Sequence, residues 1–468
     1  MNFQAMQSVG PQILPAKPGC IRLWVFVWVL FGGLTACQKN EAQPLPTLNP
    51  VAQIVAAETP VSDSAVVDGI AVAATEEPVL VTDDRPVISV WHQWQGELAD
   101  VLMAGIAAYE SQQPGVNVEA VYQENLLDAV TTAVLAGEGP DVFLMSQDSL
   151  GTFAASGLIA PLPAQFDAAY LDETFNPAAA AAVQWQNKVW GIPLFQQGIA
   201  LIYNTALNVE SLIPQDPTNF DQLLANAITY HQDNPDKYLI CNPSLTTVSP
   251  DVYHAAPILF GFNPAADARF IDDSGNVRIN MPEYQAAAAW MKELSLVSPP
   301  DPSYEACQEG LLDGQVASWW TGPWALDALR EAGVDYGIQG FGRPYVHVTG
   351  LFMGANAVER GRAESAADFI GFWGATMQQT QVALAANNPP SNLQALASPE
   401  IQGDWVLSAF GQALSNGVPF PASPLADAQW MPLGEAIQSI LSGGQSPEAA
   451  LAAAETAVAQ TITAVQKP

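Results

Sequence analysis

Short apolar runs alternate with helical stripes from Val87 to Met145, and this alternation limits the fold more than any other feature of the chain. Val87-Ile-Ser-Val-Trp91 reads as a buried strand. Leu98, Val101, Leu102, Ile106 and Tyr109 then recur at helical spacing, and Pro114-Gly115 ends that helix. Val116–Tyr122 is a second strand, Leu127, Val130 and Val134 line a second helix, and Asp141–Met145 is a third strand. Asp148 is placed to cap a third helix holding Leu150 and Phe153. A strand–helix series of this kind gives a doubly wound α/β layer, whose ligands gather at the carboxyl ends of the strands. Further along, Thr218 with Asp221 has the spacing of a capping box, and Phe270–Ile279 reads as a hairpin. From 283 the pattern is mostly helical, interrupted by strands near 316–319 and 349–354, and no internal repeat is present.

Composition decides what such a layer can serve. With 49% hydrophobic and only 13% charged residues over 468 positions, the chain has material for a large core and for two or three domains. Its 47 acidic against 14 basic side chains, a formal charge of −33, argue against nucleic acid and against adhesion to anionic lipid. The four histidines, at 92, 231, 254 and 347, share no ligand spacing, so neither a metal site nor a cofactor is expected. Gly137-Glu-Gly139 precedes a strand rather than a helix and is not a phosphate loop. Asp272-Asp-Ser-Gly275 is a turn, because an EF-hand register would put Phe270 in the first ligand position.

Residues 1–36 hold no Asp or Glu but carry Lys17, Arg22 and the apolar run Leu23–Leu34. Such a run rises about 18 Å as a helix, against roughly 30 Å of bilayer core, and reads as an export signal. Met6 is an alternative start to Met1. Leu34-Thr-Ala-Cys37 resembles a bacterial lipobox, which implies a lipidated Cys37 as the first mature residue. Residues 37–86 are then a proline- and acid-rich tether, with Pro44, Pro46, Pro50, Pro60, Pro78 and Pro86, reaching roughly 40 Å as a flexible coil. Cys20 leaves with the signal, so Cys241 and Cys307 remain in an oxidising compartment, either as a disulfide or as two buried thiols.

Three stretches carry a resemblance. They are Ala136-Gly-Glu-Gly-Pro-Asp-Val-Phe-Leu144 running on to Gly157-Leu-Ile-Ala-Pro161, Trp190-Gly-Ile-Pro-Leu194 followed by Ala200-Leu-Ile-Tyr-Asn204, and Asp313-Gly-Gln-Val-Ala317 followed by Thr321-Gly-Pro-Trp324. In this order the chain from 87 to 468 resembles the extracellular solute-binding proteins of family 1, the maltose-binding-protein-like branch that serves sugar ABC importers. The resemblance implies a two-lobed α/β fold of the type II periplasmic-binding class, with the ligand cleft between lobes and several hinge crossings. Carried onto this chain, the N-terminal lobe is 87–195 and 349–402, and the C-terminal lobe is 197–347 and 403–464. It implies a monomeric lipoprotein without enzymatic activity. Held on the extracytoplasmic face of a bacterial membrane through Cys37, it would pass a mono- or oligosaccharide to permease subunits as its lobes close.

Sugars present apolar C–H faces ringed by hydroxyls, so their sites pair aromatic platforms with short polar groups. Trp91 and Trp94, at the end of the first strand, are candidate platforms, although Trp91 can also complete the core. The resemblance puts Trp324, one residue past Pro323 at a helix start, in a stacking position. It puts Trp430 in a second and Tyr253 in a third, with Asp251 nearby as a hydroxyl acceptor. Asp148 aligns with a hydroxyl-accepting Asp, while Gln93 and Gln196 are further hydrogen-bonding candidates. Gln197 stands where maltose-type proteins carry Glu, and Met145 and Ser149 stand where they use Trp and Arg. These departures imply a carbohydrate shaped differently from maltose. Trp190, Trp290, Trp319 and Trp373 fall in apolar patterns and belong to the core. Other readings are the same fold holding a polyamine, which would need several carboxylates, and the same protein feeding a membrane sensor. A secreted glycoside hydrolase needs facing carboxylates about 5 to 9 Å apart, and no hydrolase signature is present.

Overall fold

The alternation beginning at Val87 folds as strands and helices in the expected order. A computed structural model describes residues 85–466. The export signal, Cys37 and all but the last two residues of the tether therefore lie outside the described residues. Strands β1 (Val87–His92), β2 (Asn117–Tyr122) and β3 (Val142–Ser146) are separated by helices Glu97–Gln112 and Leu126–Leu135. β1 lies between β2 and β3 and runs parallel to both. The chain continues through β4 (Ile159–Ala160), a small hairpin of β5 (Gln184–Trp185) and β6 (Lys188–Val189), and β7 (Gly191–Gln197). After only Gly198 and Ile199 it enters a second sheet, formed by β8 (Ala200–Asn204), β9 (Tyr238–Cys241), β10 (Val316–Thr321) and β11 (Tyr336–Gln339) in the order β11-β8-β10-β9. The last strands, β12 (Tyr345–Gly354) and β13 (Val418–Pro419), return to the first sheet, whose order is β13-β12-β3-β1-β2, with β4 and β7 also on β12.

β12 is ten residues long and starts four residues before the apolar run at 349 that marks it in the sequence. Its extension is held by other elements: Tyr345 and Val346 pair with β13, and His347 pairs with Gln197 at the end of β7. Each sheet builds its own core. Around the first lie Val90, Leu102, Phe143, Phe352, Phe369 and Trp373. The second sheet is covered on both sides, since β8 sends Leu201 and Tyr203 to a core with Phe260 and Tyr284, but Ala200 and Ile202 to another with Trp319 and Phe410. Two-sided cover is why these strands read as continuous apolar runs. Trp190, Trp290, Trp319 and Trp373 are all buried, as their patterns require.

The Gly-Pro-Asp stretch of the resemblance is a structural corner. A Cβ on Gly139 would fall 2.4 Å from a Val134 methyl, and its N–H donates to Asn356 Oδ1 at 2.8 Å. Asp141 is fully buried and accepts from Arg360 Nη2 at 2.7 Å, Arg362 Nη1 at 3.1 Å and the Ser89 N–H at 3.0 Å. One carboxylate thus ties β1, the lead-in to β3 and the segment after helix Ala355–Glu359. Cys241 and Cys307 form a disulfide with Cα atoms 5.4 Å apart, joining β9 to helix Tyr304–Leu312.

Two local expectations change and a third is met. Asp148 caps no helix: it lies within a tight turn, Gln147–Ser149, and accepts from the neighbouring Ser149 hydroxyl at 3.3 Å before helix Leu150–Ala155 begins. Thr218 turns its hydroxyl to Asp216 at 2.8 Å, which leaves Asn219 to cap helix Phe220–Asp233 through the Gln222 N–H at 3.1 Å. The 270–279 hairpin forms as a short antiparallel pair, with Ile271 bridged to Val277 and the Arg278 N–H donating to the Phe270 carbonyl at 2.8 Å, and Asp272 organises its turn.

Candidate functional site

Two residues of β12 and a returning loop create the main aromatic surface. Tyr345 and His347 share one face of the strand, since side chains two apart point the same way. Phe420, just past β13, packs on both rings, at 3.7 Å from His347 and 5.2 Å from Tyr345 between centroids. Trp430, which opens helix Trp430–Leu441, stacks on Phe420 at 5.6 Å with an interplanar angle of 18°. Tyr253, in the first turn of helix Val252–Phe262, faces Tyr345 at 6.2 Å and His347 at 5.4 Å. The first sheet reaches this cluster through Gln147, whose Nε2 donates to the Phe420 carbonyl at 3.0 Å.

Carboxylates stand beside the rings. Asp251 caps the Tyr253 helix, accepting from the Tyr253 N–H at 2.9 Å and from His254 Nδ1 at 2.7 Å, yet its side chain stays 43% exposed. Burial pushes that carboxyl up, but the His254 imidazole and the capping N–H groups outweigh it, and the net shift is downward. Asp148, next to Gln147, is also solvent-accessible while burial raises its pKa, with the Asp427 charge adding to the rise. Burial likewise raises the Tyr253 and Tyr345 phenols far above their ordinary value.

Burial lowers His347 to about 3, so the folded protein keeps this imidazole neutral. The unfolded chain protonates it below about pH 6.5, binding more protons than the folded state, so its contribution to stability falls as pH drops from there toward 3. The melting temperature of His347→Gln is therefore expected to fall less than wild type between pH 7 and pH 4.5. Equal slopes for the two proteins would show that His347 does not carry the effect.

Of the residues singled out from sequence, Asp148, Asp251, Tyr253 and Trp430 come together here, with Gln197 at its rim as the β7 partner of His347. The others make different contacts. Trp91 rests on the first core and donates Nε1 to Ser89 Oγ at 3.1 Å. Trp94 is 9% exposed and packs on Phe195, and Gln93 follows β1, half-buried. Gln196 is fully buried and donates to the Pro390 carbonyl at 3.1 Å. Trp324 lies over Gly322, where a Cβ would come within 2.2 Å of its ring, and packs against the core that holds Trp319. Met145 is buried in the first core and Ser149 bonds Asp148. Tyr345, His347 and Phe420 were not singled out from sequence. The period-two pair Tyr345/His347 was the available signal, but no residue near 420 marks which loop returns to cover it.

Two α/β layers, each with its own core, and a partly exposed cluster of aromatic rings packed on the second of them define a two-lobed binding protein. Residues 104–409 match the profile of the bacterial extracellular solute-binding proteins, and the chain belongs to that family. It is 26% identical over 368 residues to the maltotriose-binding protein of Pyrococcus abyssi, covering 76% of this chain and 77% of the relative. It is 24% identical over 379 residues to a maltooligosaccharide ABC transporter solute-binding lipoprotein of Streptococcus pneumoniae, covering 76% and 84%. Among solved structures, a cyclo/maltodextrin-binding protein complexed with maltotetraose superposes with a TM-score of 0.69 at 21% identity, covering 82% of this chain and 99% of the other. No helix among the described residues is long and apolar enough to cross a membrane.

Proposed function

We propose that this chain is the substrate-binding lipoprotein of an ABC importer, taking a mono- or oligosaccharide between lobes formed by 87–195 with 349–402 and by 197–347 with 403–464. The observation that carries this reading is the partly exposed rings of Tyr253, Phe420 and Trp430, resting on the buried Tyr345, with the accessible carboxylates of Asp148 and Asp251 nearby. Aromatic faces suit the C–H surface of a sugar, and carboxylates accept its hydroxyls. Gln147 bonded to Phe420, and Asp148 within the field of Asp427, link the two sides of such a cleft. The relatives named for maltotriose and maltooligosaccharides point to the same ligand class. Differential affinity for the closed arrangement would then shift the lobes, and permease subunits would read the closed form. Cys37 would carry the lipid, with 37–86 as tether.

The test is a thermal-shift and calorimetric screen of the intact protein against maltotriose and galacto-, xylo- and cello-oligosaccharides. One glycan class is expected to raise the melting temperature by linkage, and spermidine is not. In Trp430→Ala, affinity for that glycan should fall about tenfold, the value of roughly 1.5 kcal/mol of aromatic contact. A folded protein that responds to no glycan would overturn the reading, and palmitate labelling that survives Cys37→Ser would remove the anchor from it.

A further inference from the structure

A cavity of about 340 Å³ lies away from the aromatic cluster. Asn387, which ends helix Thr376–Ala386, the start of helix Trp405–Leu414 and the beginning of β11 line it, and it opens to solvent. Its lining combines Tyr336 and Trp405 with Arg330, Asn387 and Asp404. Trp405 is 52% exposed, an unusual position for the largest apolar side chain, and its ring lies 5.4 Å from that of Tyr336 at 44°. The two rings thus meet at an angle and do not cover one another, which leaves aromatic surface to the cavity.

The polar groups around these rings keep unused bonding capacity. Asp404 Oδ1 accepts from the Val406 and Leu407 N–H groups at 3.0 and 3.1 Å, while Oδ2 makes no hydrogen bond among the described residues. Arg330 commits Nη1 to Asp327 at 2.9 Å and retains its other donors. Asn387 offers both a donor and an acceptor. Arg330 is already paired with Asp327, so Asp404 leaves the rim with a small negative excess that disfavours an anionic ligand, whereas the hydroxyl groups of a neutral one can satisfy both donors and acceptors. A volume near the lower end of small-molecule sites suits one ring and not a chain.

We propose that this cavity is a second carbohydrate site, taking a single neutral sugar unit stacked on Trp405 and Tyr336 and bonded by Arg330, Asn387 and Asp404. It is independent of the ligand held at the first cluster. The experiment is saturation-transfer NMR on the intact protein with methyl α-glucoside and methyl β-galactoside, with glucuronate as the charged control, in wild type, Trp430→Ala, Trp405→Ala and Trp405→Phe. With the first cluster saturated by the oligosaccharide that the thermal-shift screen identifies, one neutral glycoside is expected to give a signal that persists in Trp430→Ala, is lost in Trp405→Ala and is largely recovered in Trp405→Phe, with glucuronate silent. Trp405 is exposed, so its truncation should leave the melting temperature unchanged, and that measurement accompanies each spectrum. A signal unaltered by Trp405→Ala, no signal from either neutral glycoside, or an equal response to glucuronate would overturn the second site. Because saturation of the first cluster removes its share of the signal, and the thermal-shift screen reads that cluster by itself, failure of either site is seen separately.

Discussion

Asp141→Ala is expected to destabilise the protein by about 3 to 5 kcal/mol, the usual cost of removing one partner from a buried ion pair. The carboxylate is fully buried and serves three donors at once: Arg360, Arg362 and the Ser89 N–H. Truncation leaves the Ser89 amide without its side-chain acceptor and two guanidinium groups without their counter-charge. Both arginine side chains are about a third exposed and can turn to water, which places the loss toward the lower end of that range. Asp141→Asn should fall between, since its amide oxygen can still accept from one donor but carries no charge. Equilibrium urea unfolding of the three proteins checks this. A loss below about 1 kcal/mol for the alanine variant would mean that the corner does not depend on its carboxylate. Because the corner lies in the first sheet's framework, glycan affinity measured on the remaining folded protein should change little.

Loss of the Cys241–Cys307 disulfide is the second large effect expected. The bond closes a segment of 66 residues, which in the chain-entropy account contributes about 4 kcal/mol by restricting the unfolded state. Both cysteines are fully buried in the core with Trp319 and Phe410, so replacement by alanine adds the cost of two small voids to the entropic loss. The paired Cys241→Ala/Cys307→Ala variant should therefore unfold at distinctly lower denaturant than wild type. Wild-type protein unfolded in the presence of a thiol should approach it. Native protein in mild reductant should resist, since neither sulfur is exposed. Coincident unfolding curves for variant and oxidised wild type would remove the bond as a source of stability.

Much of the architecture was legible because it is written in local periods. The strand-and-helix series from Val87 to Met145 follows from apolar spacing alone, and its elements fall within a residue or so of where spacing puts them. Burial of Trp190, Trp290, Trp319 and Trp373 was legible for the same reason. The errors arose where side chains compete locally for the same backbone groups. Asp216 drew the Thr218 hydroxyl away from the helix start, and Ser149 engaged Asp148, choices that a spacing rule does not weigh.

The site was legible only in part. Trp430, Tyr253, Asp251 and Asp148 could be singled out one at a time, because aromatic and short acidic side chains suit sugar chemistry wherever they occur. What joins them is the pairing of Tyr345 with Val418, which brings Phe420 back over His347 from more than seventy residues away in the chain. By itself the sequence determined the α/β class, the acidic balance and the buried tryptophans, since each is a property of neighbouring residues. Only the tertiary structure decided that Cys241 meets Cys307, that Asp141 is a buried anchor and that Trp405 stands exposed beside Tyr336. Contacts between residues far apart in the chain depend on how the two sheets pack, and no local pattern carries that information.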